Sequence, residues 1–229
     1  INPASKLEVV ISASNQNFDK ETTTKTGLET LDVLNGIDLQ SEEIAWITGS
    51  DVNFCAQAFP TVGYDHPDAP ILTVLGAVLR NGFLHSAIRE KGGAYGSGAQ
   101  QDSATRSFRF FSYRDPNCME TFNAFNESIE WSLKSINSEK LEEGILGVIS
   151  SIDKPGSPAG EARADFNQNI RGIDQSKRKI FRSRVINCSV ERLVEVSNKY
   201  LTGKPKRSVI SGKHFEKEIK DLGLSIHNV

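Results

Sequence analysis

The sequence predicts an α+β domain in which a mostly antiparallel sheet, formed early in the chain, packs against helices that come late. Two patterns carry that prediction. As far as Tyr113, short β-branched and aromatic runs alternate with turn residues around one long apolar helix, and from Asn117 to Leu201 the apolar spacing becomes helical. No repeat, low-complexity block or Gly/Ser linker divides the 229 residues, so 1–229 is expected to be a single domain, with the Lys154–Gly160 loop its weakest point. A chain of this length buries roughly 70% of its unfolded surface, so a core of ordinary size is expected.

Taken in order, Leu7–Ser12 (LEVVIS) reads as a strand, and Leu28, Leu31 and Leu34, spaced three apart before Gly36, read as a helix. Glu43–Gly49 and Asn53–Phe59 are short strands split by Gly49, Ser50 and Asp51, which predicts a hairpin. Asp68 is placed as the cap and Pro70 as the opening residue of a helix whose Ile71, Leu72, Val74, Leu75, Val78 and Leu79 share one broad face. Gly92 and Gly93 stop it after about six turns. Ala94–Ala99 and Ser107–Tyr113 read as a second hairpin, its first strand made of small residues apart from Tyr95, so that a helix can pack close. Helices follow near 117–135, 138–152, 158–171, 174–187 and 189–201, punctuated by Pro155, Gly156, Pro158 and Gly172, and Arg207–Ser211 reads as a closing strand.

Composition narrows the function classes. Lys plus Arg at 27 against Asp plus Glu at 29 leaves a charge of -2, too balanced for a nucleic-acid-binding surface. Cys55, Cys118 and Cys188 are odd in number and far apart in sequence, which fits three reduced, mostly buried thiols in a reducing compartment (the cytoplasm, or the mitochondrial matrix of a eukaryote) and neither a disulfide framework nor a clustered thiolate metal site. No run approaches the ~18 consecutive apolar residues of a spanning helix, so no membrane partner is expected. The chain opens at Ile1 and its one methionine is Met119, which points to a segment of something longer.

His66, His85, His214 and His227 stand in neither an HExxH nor an HxxEH pattern, so an autonomous zinc peptidase site is not expected. A GxSxG elbow is absent, and a Cys-His pair cannot be assigned from sequence. The glycine-rich stretch GGAYGSG at 92–98 follows a helix and precedes a strand, the reverse of the order that cradles phosphate, and reads as a helix stop. Six cations against one acid between Arg171 and Arg184 are either a solvated helix face or an anion site.

The segment HSAIREKGGAY, from His85 to Tyr95, carries the most information. At 100° per residue Arg89 returns to nearly the azimuth of Ile71, so the apolar stripe ends in a cation, and Tyr95 opens a strand with few bulky neighbours. A buried cation needs a partner or a cleft in which a ligand supplies one. Two readings stay open: the guanidinium and the phenol serve a ligand at one helix–strand junction, or Arg89 complements the helix dipole and pairs with Glu90 or Asp102 while Tyr95 is ordinary packing.

FLHSAIREKGGAYGSGA, followed by the strand ending SYRDPN, resembles the C-terminal half of the pitrilysin/insulinase-type zinc metallopeptidases, in the presequence-protease branch. The order of elements over residues 43–205 is similar too; the first 40 residues are matched only by general strand–helix order. The resemblance implies a clamshell of four α+β domains in which an HxxEH motif of the first domain, absent here, holds zinc and the last domain closes over it. It implies that an Arg and a Tyr, at the positions of Arg89 and Tyr95, reach across the closed chamber to contact the substrate and stabilise the oxyanion. On that basis this chain holds no cofactor, zinc belongs to a catalytic half that is its partner, unstructured peptides are the substrates, and the chain alone is inactive. The basic run departs from an acidic chamber suited to basic presequences and is placed outside, on a solvated helix. A non-catalytic binding or scaffolding subunit of the same fold is the alternative.

Overall fold

In the computed structural model, which describes residues 43–229, period-two alternation sets the strands: β1 (Ile44–Thr48) buries Ala45 and Ile47 and exposes Trp46, and β2 (Phe54–Pro60) buries Cys55, Gln57 and Phe59. The predicted strand Leu7–Ser12 and the helix carrying Leu28, Leu31 and Leu34 lie outside the described residues. Next come helix α1 (Asp68–Leu79), continued without a break by a π-helical segment (Arg80–Lys91), then β3 (Gly96–Asp102) and β4 (Ser107–Tyr113). Helices α2 (Met119–Lys134), α3 (Ser138–Ile152), α4 (Pro158–Ile170), α5 (Gln175–Ile186) and α6 (Val190–Leu201) lead to β5 (Lys206–Gly212), a short 3-10 turn, α7 (Glu216–Asp221) and β6 (Ser225–Asn228).

The described residues group into two units, Pro155–Gly172 and residues 43–154 with Ile173–Val229. In the first unit the described residues form α4, opened by Pro158 and capped by Ser157, whose hydroxyl accepts from the Gly160 N–H. The second unit holds every other described element.

Its sheet runs in the order β3-β4-β2-β5-β1-β6. The β3–β4 hairpin forms as expected, closed by Asp102, whose Oδ1 accepts from the N–H groups of Ala104 and Thr105. The hairpin expected between Glu43–Gly49 and Asn53–Phe59 does not form, because β5 inserts between the two strands, parallel to β1 and antiparallel to β2. Val209 is thereby set between Ala45 and Cys55, all three at most 1% exposed. The intervening residues Gly49–Asn53 are ample to cross the roughly 10 Å of two strand spacings. β6, parallel to β1 on its other side, was not expected, nor was α7.

One face of the sheet carries the helices. Phe59, Phe108 and Phe110 meet Phe122 and Phe125 of α2 and the apolar face of α1, every one of these phenylalanines at most 2% exposed. α1 packs on β3, α3, α5 and α6. Small residues permit a close approach there: a Cβ on Gly76 would sit 2.9 Å from the Ala99 carbonyl oxygen. By length and hydropathy the continuous helix Asp68–Lys91 matches a bilayer span. Its Leu72, Val74, Leu75 and Leu79 are fully buried against protein, so it acts as the core helix.

The start of α1 corrects one expectation. Pro67 holds the cap position, and Asp68 is a buried carboxylate that accepts from Arg192 Nη2 at 2.7 Å, Lys199 Nζ at 2.9 Å and Tyr200 Oη at 2.8 Å, all on α6. Burial would raise its pKa, but hydrogen bonds from Lys199 and Tyr200, with their charge field, hold it below the usual carboxylate range. The cysteines are all free and buried. A hydrogen bond with Cys118, reinforced by burial, pushes the Cys55 thiol far up, and burial raises Cys188 to about 11. Cys55 and Cys118, distant in sequence, are therefore neighbours.

Candidate functional site at the helix–strand junction

Arg89 sits on the outside of the π-helical segment, whose buried residues are Leu84 and Ile88. A π-helix takes more residues per turn than an α-helix, so a wheel turned at 100° from Ile71 loses phase after Leu79. The expectation that Arg89 extends the buried stripe is therefore corrected: the guanidinium is exposed. Its Nη1 lies 3.2 Å from His85 Nε2, and His85 Nδ1 lies 3.4 Å from Glu90 Oε1. Glu90 thus reaches Arg89 through an imidazole, and Asp102 is engaged instead by Arg109 at 3.0 Å.

The helix ends where the glycines require. Gly93 adopts φ +80°, a conformation open to glycine, and its N–H returns to the Arg89 carbonyl at 3.1 Å. Asn117 Nδ2 donates to the Gly92 carbonyl at 2.6 Å, tying this corner to the segment after β4. Tyr95 follows, just ahead of β3, with its N–H donating to the Arg114 carbonyl at 3.3 Å. Its side chain is 65% exposed. The ring meets Tyr113 at a centroid distance of 5.6 Å, and the Arg114 guanidinium stands 5.6 Å from its centre. Tyr113 pairs opposite Gly96 and Phe111 opposite Gly98, so the aromatic rings of β4 lie over a strand that has no side chains at those points.

Beneath this corner is a buried polar network. Asp115 accepts from Thr121 Oγ1 at 2.7 Å and from the Asn117 N–H at 3.0 Å, and its backbone exchanges hydrogen bonds with Asn53. Asn53 in turn accepts from the Ser211 hydroxyl. With Asn53, Asp115 and Ser211 all fully buried, the network fixes the end of β4 to β2 and β5. The open sheet face continues from here: Phe54, Ile210 and Trp46 stand in register across β2, β5 and β1, each 40–45% exposed.

The site therefore presents a guanidinium and a phenol, both hydrogen-bond donors, outward from a rigid base. Tyr113 and Arg114 lie in the SYRDPN segment quoted for the resemblance, but neither was singled out as a site residue. The four histidines are dispersed: His66 precedes α1, His85 lies in the π-helical segment, His214 in the 3-10 turn and His227 in β6. Among the described residues no group of three or more His, Cys, Asp or Glu can hold a metal, so these residues do not fit a zinc site. In the basic run, Lys177 pairs with Asp65 at 3.0 Å and Arg182 grips Asp153 through two nitrogens, while Phe181 and Val185 of the same helix are buried. A groove of about 310 Å³ between α1, β3 and α3 takes in neither Arg89 nor Tyr95.

The mixed sheet with helices on one face is shared with solved peptidase structures. The solved structure of a protease from Helicobacter pylori matches 75% of this chain and 45% of its own with a TM-score of 0.64 at 16% identity. Pitrilysin matches 74% of this chain and 19% of its own (TM-score 0.57, 15% identity). The inactive domain of an M16 peptidase from Pseudomonas fluorescens matches 74% and 43% (TM-score 0.57, 16% identity). At such identities the likeness is one of fold. The chain belongs to the PreP C-terminal domain family, which matches residues 48–210. It is 35% identical over 152 residues to the mitochondrial presequence protease of Danio rerio and 38% identical over 151 residues to that of Drosophila melanogaster, covering 66% and 65% of this chain. The matched part spans 14% of the length of each relative.

Proposed function

We propose that this chain is the non-zinc-binding C-terminal domain of a metalloendopeptidase that degrades unstructured peptides in a closed chamber, and that Arg89 and Tyr95 contact the substrate carbonyl. The observation that carries the reading is the exposure of both groups at one corner, held from below by the Asp115–Asn53 network. Attack on a peptide carbonyl leaves negative charge on its oxygen, and a phenol O–H and a guanidinium N–H are the donors that meet such charge. In this reading zinc is held by an N-terminal catalytic half, the partner over which this domain closes. The mitochondrial relatives support the matrix as its compartment.

Two experiments test it. Zinc titration and peptide cleavage are measured on this chain alone and on the chain joined to its N-terminal half; activity is expected in the joined protein only, and zinc-dependent cleavage by the chain alone refutes the reading. Tyr95→Phe in the joined enzyme is expected to leave melting unchanged and to lower turnover by about two to three orders of magnitude. Unchanged turnover instead supports a non-catalytic scaffold, a role that the inactive-domain relative keeps in view.

A further inference from the structure

We infer that Arg114 is a positioning residue for Tyr95, held in a strained backbone conformation so that its guanidinium lies over the Tyr95 ring. The inference rests on the proposed role of Tyr95. Arg114 has φ +48°, the left-handed region that glycine or asparagine adopts at little cost. The bend itself has a structural cause, because it turns the next residue, Asp115, inward to Thr121, Asn117 and Asn53. That cause would be served better by glycine. What distinguishes arginine is its side chain, which is exposed and stands over the Tyr95 ring, the guanidinium carbon 5.6 Å from the ring centre. The Arg114 carbonyl also accepts from the Tyr95 N–H, so one residue grips Tyr95 by backbone and side chain together. Tyr113 also borders the ring, at a centroid separation of 5.6 Å, and the Tyr95 side chain still stays 65% exposed. Strain kept at an exposed position marks a place where function outweighs stability.

The test uses the full-length enzyme. Arg114→Gly relieves the backbone and removes the guanidinium; Arg114→Lys keeps the charge without the planar group. For Arg114→Gly the melting temperature is expected to stay the same or rise, the Tyr95 ring resonances in 13C-tyrosine-labelled protein to move, and kcat/KM for a peptide to fall about two- to fivefold, the size of an exposed cation–π contact. Arg114→Lys restores part of that loss, and on a Tyr95→Ala background Arg114→Gly adds nothing. Unmoved Tyr95 resonances, or a kinetic loss of equal size in the Tyr95→Ala background, overturns the inference. Should Tyr95→Ala leave turnover unchanged, the proposed role of Tyr95 fails, and the resonances alone decide whether Arg114 positions the ring.

Discussion

Asp68 is the anchor between the core helix and α6, and its removal is the sharpest stability test the fold offers. Its carboxylate takes three donors within 2.9 Å while its own side chain is 7% exposed. Hydrogen bonds to a charged group contribute about 1.5–3 kcal/mol each when buried. Here Arg192 and Lys199 are 40% and 53% exposed and recover water when released, so their share is discounted strongly. Asp68→Asn keeps an acceptor oxygen but loses the charge, and a loss of about 2 kcal/mol at pH 7 follows, a fall of roughly 4–8 °C in Tm for a chain of this size. Because the folded carboxyl lies below its unfolded value, its contribution is fully present above that value, about 4, and is lost as pH falls through the folded pKa. Urea or thermal unfolding of both proteins at pH 7 and pH 3 reads this directly: the gap is expected to narrow at pH 3. A gap below 1 °C at pH 7, or one of equal size at both pH values, refutes the reasoning.

Other outcomes follow from packing and from thiol chemistry. Gly76→Val forces a Cβ to 2.9 Å from the Ala99 carbonyl, a backbone atom that moves only with β3, and is expected to cost about 1–3 kcal/mol by thermal unfolding; a Tm within 1 °C of the parent refutes the close approach. Cys55, Cys118 and Cys188 are expected to resist a thiol reagent at pH 8 in native protein and to react only once denatured, since they are buried and the pKa values of Cys55 and Cys188 are raised; rapid native labelling of any of them contradicts this packing.

Four of the helices after Asn117, α3 to α6, were readable because their starts are chemical. Asn137, Ser157, Asp174 and Ser189 each place a side-chain oxygen on an N–H three residues on, and those residues announce themselves in sequence. Sheet order was not readable, since Gly49, Ser50 and Asp51 mark a turn whether the next strand is a neighbour or stands one strand away. β6 is a four-residue strand, SIHN, with no alternation strong enough to stand out. At the junction, Arg89 and Tyr95 could be singled out, but the surroundings of Arg89 could not: a helical wheel assumes 3.6 residues per turn, and the chain departs from it nine residues before Arg89. Arg114 stayed hidden for a similar reason, because arginine is not a residue type that signals a left-handed bend.

The insertion of β5 also fixes a timetable for biosynthesis. Thr48 bonds to Ser211 across a sequence separation of 163, and both neighbours of β1 are translated after every helix of the α1 to α6 series. At ribosomal speeds of 5–20 residues per second, the nascent IAWIT segment waits roughly 10–30 s with its main-chain amides unclaimed. Until synthesis reaches Lys206, so short and apolar an edge is open to pairing with other extended chains.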